Sequence, residues 1–377
     1  MRIFLFPVSI CFLIVLTTAC APTTERFFWP PPPDQPKVEF IGVYSRSIDM
    51  MSGFQRTLFG LSGGTGQGAY QPTAVVADSR GRVYASDSEF NKIVLYDFAN
   101  KRIVDYLNIG LKQPFGLALD SKENLYVVER QGREVSVFNP EGYPLFSFGQ
   151  KELGEPIRIA IDEERGRIYV SDRKDHQVKV FTLAGEFIQA LGGEKGVRSE
   201  KDGEFNGPND MVVDQAGILY VCDQFNARIQ VFDASGTFLR KFGIRGDQLS
   251  NFEAPMGIAL DRSGTIWIAD IRKGALLTYS NTTDPQYLFA IYGPSDNLGP
   301  YNLRSPLDIF IDKNNRIYVP DGLAHRISVW QILDEAYLAQ QPLPANWLER
   351  TDVMDLWYRD SGINPPKASE QAPAKKP

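Results

Sequence analysis

Pro208-Asn209-Asp210-Met211-Val212-Val213-Asp214, followed by Leu219-Tyr220-Val221-Cys222-Asp223 and Ile229-Gln230-Val231-Phe232, is the stretch on which the fold turns. Three short apolar runs are separated by turn-forming residues, and each is too short for the i, i+3, i+4 spacing of a helix. The same unit occurs six times, opening at Pro72, Pro114, Pro156, Pro208, Pro255 and Pro306. An Asp always stands six residues after the Pro, giving Asp78, Asp120, Asp162, Asp214, Asp261 and Asp312. The steps between prolines are 42, 42, 52, 47 and 51 residues, so one fixed supersecondary unit is joined by loops of varying length. A period of 40–50 residues made of short strands reads as a β-propeller with four strands per blade.

Five units continue into a fourth strand, and the sixth has none after Leu333. Val38–Tyr44 reads as a strand without a unit of its own. Placed beside the sixth blade it closes the ring and removes two open edges. The expected architecture is therefore all-β, a six-bladed propeller over residues 38–333 closed by its N-terminal strand, with a short helical or irregular C-terminal arm at 334–363. Residues 364–377, rich in Pro, Ala and Lys, read as a disordered tail.

The first residues carry a different message. Arg2, an apolar run to Leu16 and the small residues before Cys20 form a signal peptide over 1–19. Leu16-Thr17-Thr18-Ala19-Cys20 resembles a bacterial lipobox, although Leu16 is four residues before the Cys and Thr17 takes the usual Leu position. The resemblance implies acylation of Cys20 and membrane anchoring through its lipid. Ala21, where an Asp often marks inner-membrane retention, resembles the outer-membrane class and implies a cell-envelope location. Residues 20–37 include four consecutive prolines and read as a semi-rigid tether. Cys11 leaves with the signal and Cys20 is blocked, so Cys222 remains as a lone thiol, read as a small buried hydrophobe.

Asp223-Gln224-Phe225-Asn226-Ala227-Arg228-Ile229-Gln230-Val231-Phe232, preceded by Phe205-Asn206-Gly207-Pro208, resembles the NHL repeat, and the resemblance extends over nearly all of residues 55–333. It implies a six-bladed propeller, a framework that hosts enzymes, receptors and scaffolds alike. Similar lipoproteins look like accessories of envelope electron-transfer machinery.

The chain carries 40 Lys and Arg against 46 Asp and Glu, with no basic stripe, which argues against a nucleic-acid partner. No C-x-x-C-H for covalent haem, no G-x-S-x-G and no P-loop occurs in it. Its two histidines, His176 and His325, each stand four residues after the acid that ends a second strand. They read as repeat-motif residues bonding neighbouring loops. The amidating lyases of this fold hold zinc with several histidines, a set that two motif histidines cannot supply. The recurring Asp78 to Asp312 series reads as turn formers.

Departures from the repeat point to chemistry. Two residues after each Pro stand Ala74, Gly116, Arg158, Asp210, Gly257 and Asp308. Arg158, Asp210 and Asp308, with Asn209, are the candidates for a polar funnel at the channel mouth. Two readings stay open there: a water-lined channel with an Arg–Asp pair and no cofactor, or a Ca²⁺ site on Asp210 and Asp308 serving a hydrolase or lyase, as in lactonase-type propellers. The loops entering the first strands and the turns after the second strands share one face, where Phe90, Arg130, Arg133, Arg173, Phe225, Arg272 and Lys273 are the candidate contacts to an envelope protein or a glycan. No residue is assigned a catalytic role. Binding through this loop face is the expected function.

Overall fold

The computed structural model describes residues 26–30, 34–44, 68–97, 99–292 and 302–345. The segment read as a signal peptide, Cys20, the last C-terminal residues including those read as a tail, and parts of the connections 55–71 and 293–305 lie outside the described residues.

Six antiparallel sheets radiate from a common axis. Blade 1 comprises Pro72–Ala77, Val83–Asp87, Lys92–Asp97 and Arg102–Leu107. Blade 2 follows with Pro114–Leu119, Leu125–Glu129, Glu134–Phe138 and Pro144–Phe148. Blade 3 is Pro156–Asp162, Arg167–Asp172, Gln177–Thr182 and Phe187–Gly192. Blade 4 is Pro208–Val213, Leu219–Asp223, Arg228–Phe232 and Phe238–Phe242. Blade 5 is Pro255–Leu260, Ile266–Asp270, Ala275–Tyr279 and Tyr287–Tyr292. Blade 6 takes Phe310–Ile311, Arg316–Asp321 and Arg326–Ile332 from one end of the chain, then Val38–Tyr44 and Phe27–Trp29 from the other.

The ring closes as the sequence predicts, with Val38 opposite Ile332, Phe40 opposite Trp330 and Tyr44 opposite Ile327. The tether reading of residues 20–37 is corrected in part: Phe27–Trp29 forms a fifth strand outside Val38–Tyr44, and Phe28 is fully buried. The run of prolines beyond it hid this strand, because Pro has no N–H to give a ladder. Phe27 and Phe40 pack edge-on against Trp330, with ring centres 6.2 and 4.9 Å away. The Trp29 indole N–H donates to the Ala290 carbonyl of blade 5 at 2.6 Å. The arm opens as a short helix, Glu335–Gln340, capped by Asp334 accepting from the Tyr337 N–H. The Tyr337 hydroxyl donates to Glu39 at 2.9 Å, fixing this helix to the closing strand.

The innermost strand of blade 6 is the shortest. Pro320 in the neighbouring strand donates no hydrogen bond, and pairing contracts to Phe310–Ile311 with a single bridge from Pro306 to Asp321. In each of the other five blades the innermost strand bulges just after its opening Pro. A bulge re-aims the residue it contains. In blades 2, 3 and 4 the bulge spans the first two residues after the Pro, and in blades 1 and 5 only the first. In blades 1 and 3 the N–H released by the bulge donates to a serine of the next strand, Ala74 to Ser86 and Arg158 to Ser171, both at 3.0 Å.

The core consists of six apolar clusters, each wedged between neighbouring blades. The aromatic residue of every second strand (Tyr84, Tyr126, Tyr169, Tyr220, Trp267, Tyr318) is buried in one of them. Close packing at the axis sets which residues fit there. A β-carbon on Gly116 meets the Ile157 carbonyl oxygen at 2.7 Å and Arg158 Cα at 2.8 Å. One on Gly257 meets the Asp308 backbone at 2.8 Å. Both glycines are thus required by the neighbour that follows them around the ring. Gly116→Ala is expected to destabilise the fold by about 1–3 kcal/mol, the usual cost of overpacking against backbone, read as a lower denaturant midpoint at unchanged slope.

Candidate functional site: channel floor and loop face

A buried carboxylate ends the second strand of every blade: Asp87, Glu129, Asp172, Asp223, Asp270 and Asp321. Each accepts backbone N–H groups from the loop entering its own blade. Tyr70 N–H donates to Asp87 at 2.7 Å and Lys112 N–H to Glu129 at 2.6 Å. Gly154 and Glu155 donate to Asp172, Asn206 to Asp223, Glu253 and Ala254 to Asp270, and Arg304 and Ser305 to Asp321. In blades 1, 3, 5 and 6 the same carboxylate also accepts from the following turn. One group therefore fixes two loops of the same face.

Four residues after each of these acids the backbone is left-handed, at Asn91, Arg133, His176, Ala227, Gly274 and His325. Asn91 Oδ1 accepts from the Gln113 N–H of the next blade at 2.9 Å, and His176 Nδ1 accepts from Gly207 N–H at 3.0 Å. His325 Nδ1 donates to the Tyr70 carbonyl at 2.5 Å, and its ring stacks on that of Tyr70. The histidines are blade-to-blade ties, and they stand in blades 3 and 6, half a ring apart. Among the described residues no three His, Cys, Asp or Glu side chains are grouped to hold a metal ion. The Asp78 to Asp312 series forms turns: Asp78, for example, accepts from Arg80 and Arg82 N–H at 3.0 and 2.8 Å. Cys222 is a buried free thiol, and burial pushes its pKa well up.

Three of the four channel candidates meet at the axis. The Arg158 guanidinium crosses from blade 3 and donates through Nη2 to the carbonyls of Thr73 in blade 1 and Leu307 in blade 6, both at 2.7 Å. Its Nε lies 3.9 Å from Asp308 Oδ1. Asp308 accepts from Ile309 N–H and from Val75 N–H of blade 1, at 2.9 and 3.2 Å. Asp210 accepts likewise from Met211 N–H and from Ile258 N–H of blade 5, at 2.8 and 2.9 Å. The edges of innermost strands have no ladder partner across the axis, and these side chains supply one. Burial and the neighbouring Asp308 push the Asp210 carboxyl well above the usual carboxylate range, with Arg158 pulling the other way.

The placement differs from the expected mouth. The three residues form the floor of a cavity of about 800 Å³ that opens on the face opposite the loops, between the turns carrying Ser79, Ser121 and Lys122. On the loop side Arg158 lies against the Phe115 ring, 5.6 Å from its centre. Asn209 does not join the floor: its amide nitrogen turns toward Gln224 Oε1 and Met256 Sδ, at 3.5 and 3.4 Å. In blades 3 and 4 the bulge spans the first two residues after the Pro, where Arg158 and Asp210 face the cavity and Asn209 does not. No signal in the sequence marks it.

On the loop face Phe90 is 58% exposed, and Arg133 and Arg272 are exposed. Arg173 stacks over Phe225, 5.1 Å from the ring centre. Two candidates are occupied within the fold. Arg130 pairs with Glu155. The Lys273 ammonium donates to the carbonyls of Gly246, Asp247 and Gln248, each at 3.1 Å, and only 5% of its side chain is exposed, so its place as a displayed contact is corrected. Sequence reading missed Tyr70, which is 53% exposed and meets Phe90 edge-on at 5.6 Å, and the exposed Leu323 and Ile244.

The arrangement defines a six-bladed β-propeller with a channel cavity on one face and exposed aromatic residues on the other. The chain carries NHL repeats, matched over residues 153–181 and 205–232. It is similar to the Drosophila melanogaster protein brain tumor, 26% identical over 35% of this chain and 12% of that one. It is also similar to Xenopus laevis peptidyl-glycine alpha-amidating monooxygenase B, 27% identical over 58% of this chain and 26% of that one. Human NHL repeat-containing protein 3 is 26% identical over 41% of this chain and 48% of its own length. The chain thus spans less than half the length of each of these relatives. Among solved structures, a Bacteroides thetaiotaomicron protein of unknown function aligns with a TM-score of 0.58 at 16% identity, over 72% of this chain and 71% of that one. Virginiamycin B lyase from Staphylococcus aureus aligns with a TM-score of 0.51 at 13% identity, over 70% and 82%. These structural likenesses concern the fold.

Two outcomes follow from the ties. Arg158→Met leaves two carboxylates facing an apolar side chain, and a loss of about 3–5 kcal/mol is expected in denaturant unfolding. Burial and the nearby Arg198 hold the His176 imidazole below its ordinary pKa. The unfolded chain then binds the proton first, so stability falls as pH drops from about 6.5 through the lowered value. His176→Asn, which copies Asn91, is expected to keep stability at pH 8 and flatten that fall, measured as unfolding midpoints across pH 5 to 8.

Proposed function

We propose that this chain is a recognition propeller that binds a protein partner through its loop face. The observation that carries the reading is the exposed pair Tyr70 and Phe90 beside blade 1, with exposed Leu323 in the blade 6 turn, on the same face as Phe225 with Arg173 stacked on it. Aromatic and Arg side chains held on rigid turns are the usual energetic anchors of protein interfaces. Here the turns are fixed by the buried carboxylates beneath them, so little ordering is left for binding to impose. The NHL repeat match supports the reading, since such propellers often mediate protein interaction.

The finer proposal places the protein in the cell envelope, held to a membrane by lipid on Cys20 and reaching an envelope protein partner. Several acyl chains on one residue would anchor it firmly, each buried methylene adding about 0.8 kcal/mol. An enzymatic reading draws on the likeness to an amidating monooxygenase. The two histidines are engaged as blade ties, which favours the binding reading over that one.

The test is site-specific photo-crosslinking in the native host. A crosslinker at Phe90 or Arg133 is expected to trap one partner, while one at Leu145 on the outer rim traps none. Phe90→Ala is expected to weaken that partner by about 2 kcal/mol, roughly thirtyfold. Equal trapping from face and rim would overturn the proposal. Cys20→Ser is expected to move the protein from the membrane fraction to the soluble one.

A further inference from the structure

The channel cavity lies on the opposite side from the loop face and is not used by the proposed partner. Its floor holds a charged side chain that the fold leaves incompletely satisfied. Arg158 is 2% exposed, yet Nε and Nη1 find no hydrogen-bond partner among the described residues. Arg158, Asp210 and Asp308 all line the cavity. Each carboxylate oxygen accepts one backbone N–H and has a further lone pair. A ligand reaching this floor meets both donors and acceptors.

Charge decides which ligand fits. A metal cation would sit beside the fixed Arg158 guanidinium, which repels it. An anion would face two carboxyl groups. A head group that carries no charge but both donates and accepts satisfies all three side chains. A volume of about 800 Å³ falls within the range of small-molecule pockets, about 300–1,000 Å³. Sugar hydroxyls can also take over the hydrogen bonds of the water they displace.

We infer that the channel binds a neutral, hydroxyl-rich ligand of the sugar class, entering from the face opposite the loops, with its end group held by Arg158, Asp210 and Asp308. Arg158 is the specificity-determining residue, because its fork supplies the two free donors. The rim turns are held open by ties between neighbours: Ser79 donates to Glu123, and Ser121 donates to Glu163 through its N–H and hydroxyl at 2.5 and 2.6 Å. Lys122 is exposed between them.

The experiment is saturation-transfer NMR and calorimetry on the full chain with neutral probes (glucose, N-acetylglucosamine, maltose and lactose) against glucosamine and gluconate as charged controls. At least one neutral probe is expected to bind one to one, with both charged controls weaker. Arg158→Lys, which keeps the charge and loses the fork, is expected to weaken binding about tenfold or more. Because that floor variant risks misfolding, Lys122→Trp at the exposed rim is the second arm. It narrows the mouth without touching the floor and is expected to slow and weaken binding. Three results would overturn the inference: no neutral probe bound at millimolar concentration by folded protein, stronger binding of a charged control, or binding unchanged in both variants. The loop-face partner is expected to crosslink equally with and without sugar, so either proposal can fail alone.

Discussion

A carboxylate buried at the end of each second strand is the contact on which the rest of the molecule depends. Taking such a group out of water is unfavourable unless hydrogen bonds surround it, and the loops entering each blade supply them. The chain thereby gains a rule for stacking: an acid, a turn and an incoming backbone segment, repeated six times. Side chains at the left-handed position then carry the pattern from one blade to the next, by Asn91 to Gln113 and by His176 to Gly207. The described turns of the loop face are consequently tied to the blades beneath them, whatever their residues display.

The axis follows a second rule. Innermost strands present a free edge, and six of them converge on one channel. The fold answers unevenly, with glycine at 116 and 257 and long or charged side chains at 158 and 308. Gly116 gives up its β-carbon to Arg158, and Gly257 to Asp308. Space and charge at the axis are therefore set by pairs of neighbours around the ring.

Much of the architecture was legible in the sequence because it rests on repetition. The fixed interval from Pro to Asp announced the blades, and the lack of a partner for Val38–Tyr44 announced the closure. The positions of His176 and His325 announced their structural role. What escaped reading was whatever depends on a single departure in backbone path. Phe27–Trp29 has too few residues to show a period, and the prolines after it suggest a different conformation. The bulges that contain Arg158, Asn209 and Asp210 leave no mark in residue type. Lys273 looks like any surface lysine until the carbonyls of residues 246–248 are seen around its ammonium.

The closing strand sets an order of events. Val38 pairs with Ile332, so the sixth blade joins residues almost three hundred positions apart in the chain. Bringing such distant segments together costs loop-closure entropy that no local contact offsets, and this topology belongs to slow folders. Blades 1 to 5 are each built from continuous sequence and can assemble as they emerge. Val38–Tyr44 can meet Phe27–Trp29 early, across a short hairpin that covers its outer edge. Its inner edge must wait for the last blade, so the sixth sheet is completed by segments from both ends of the ring at once.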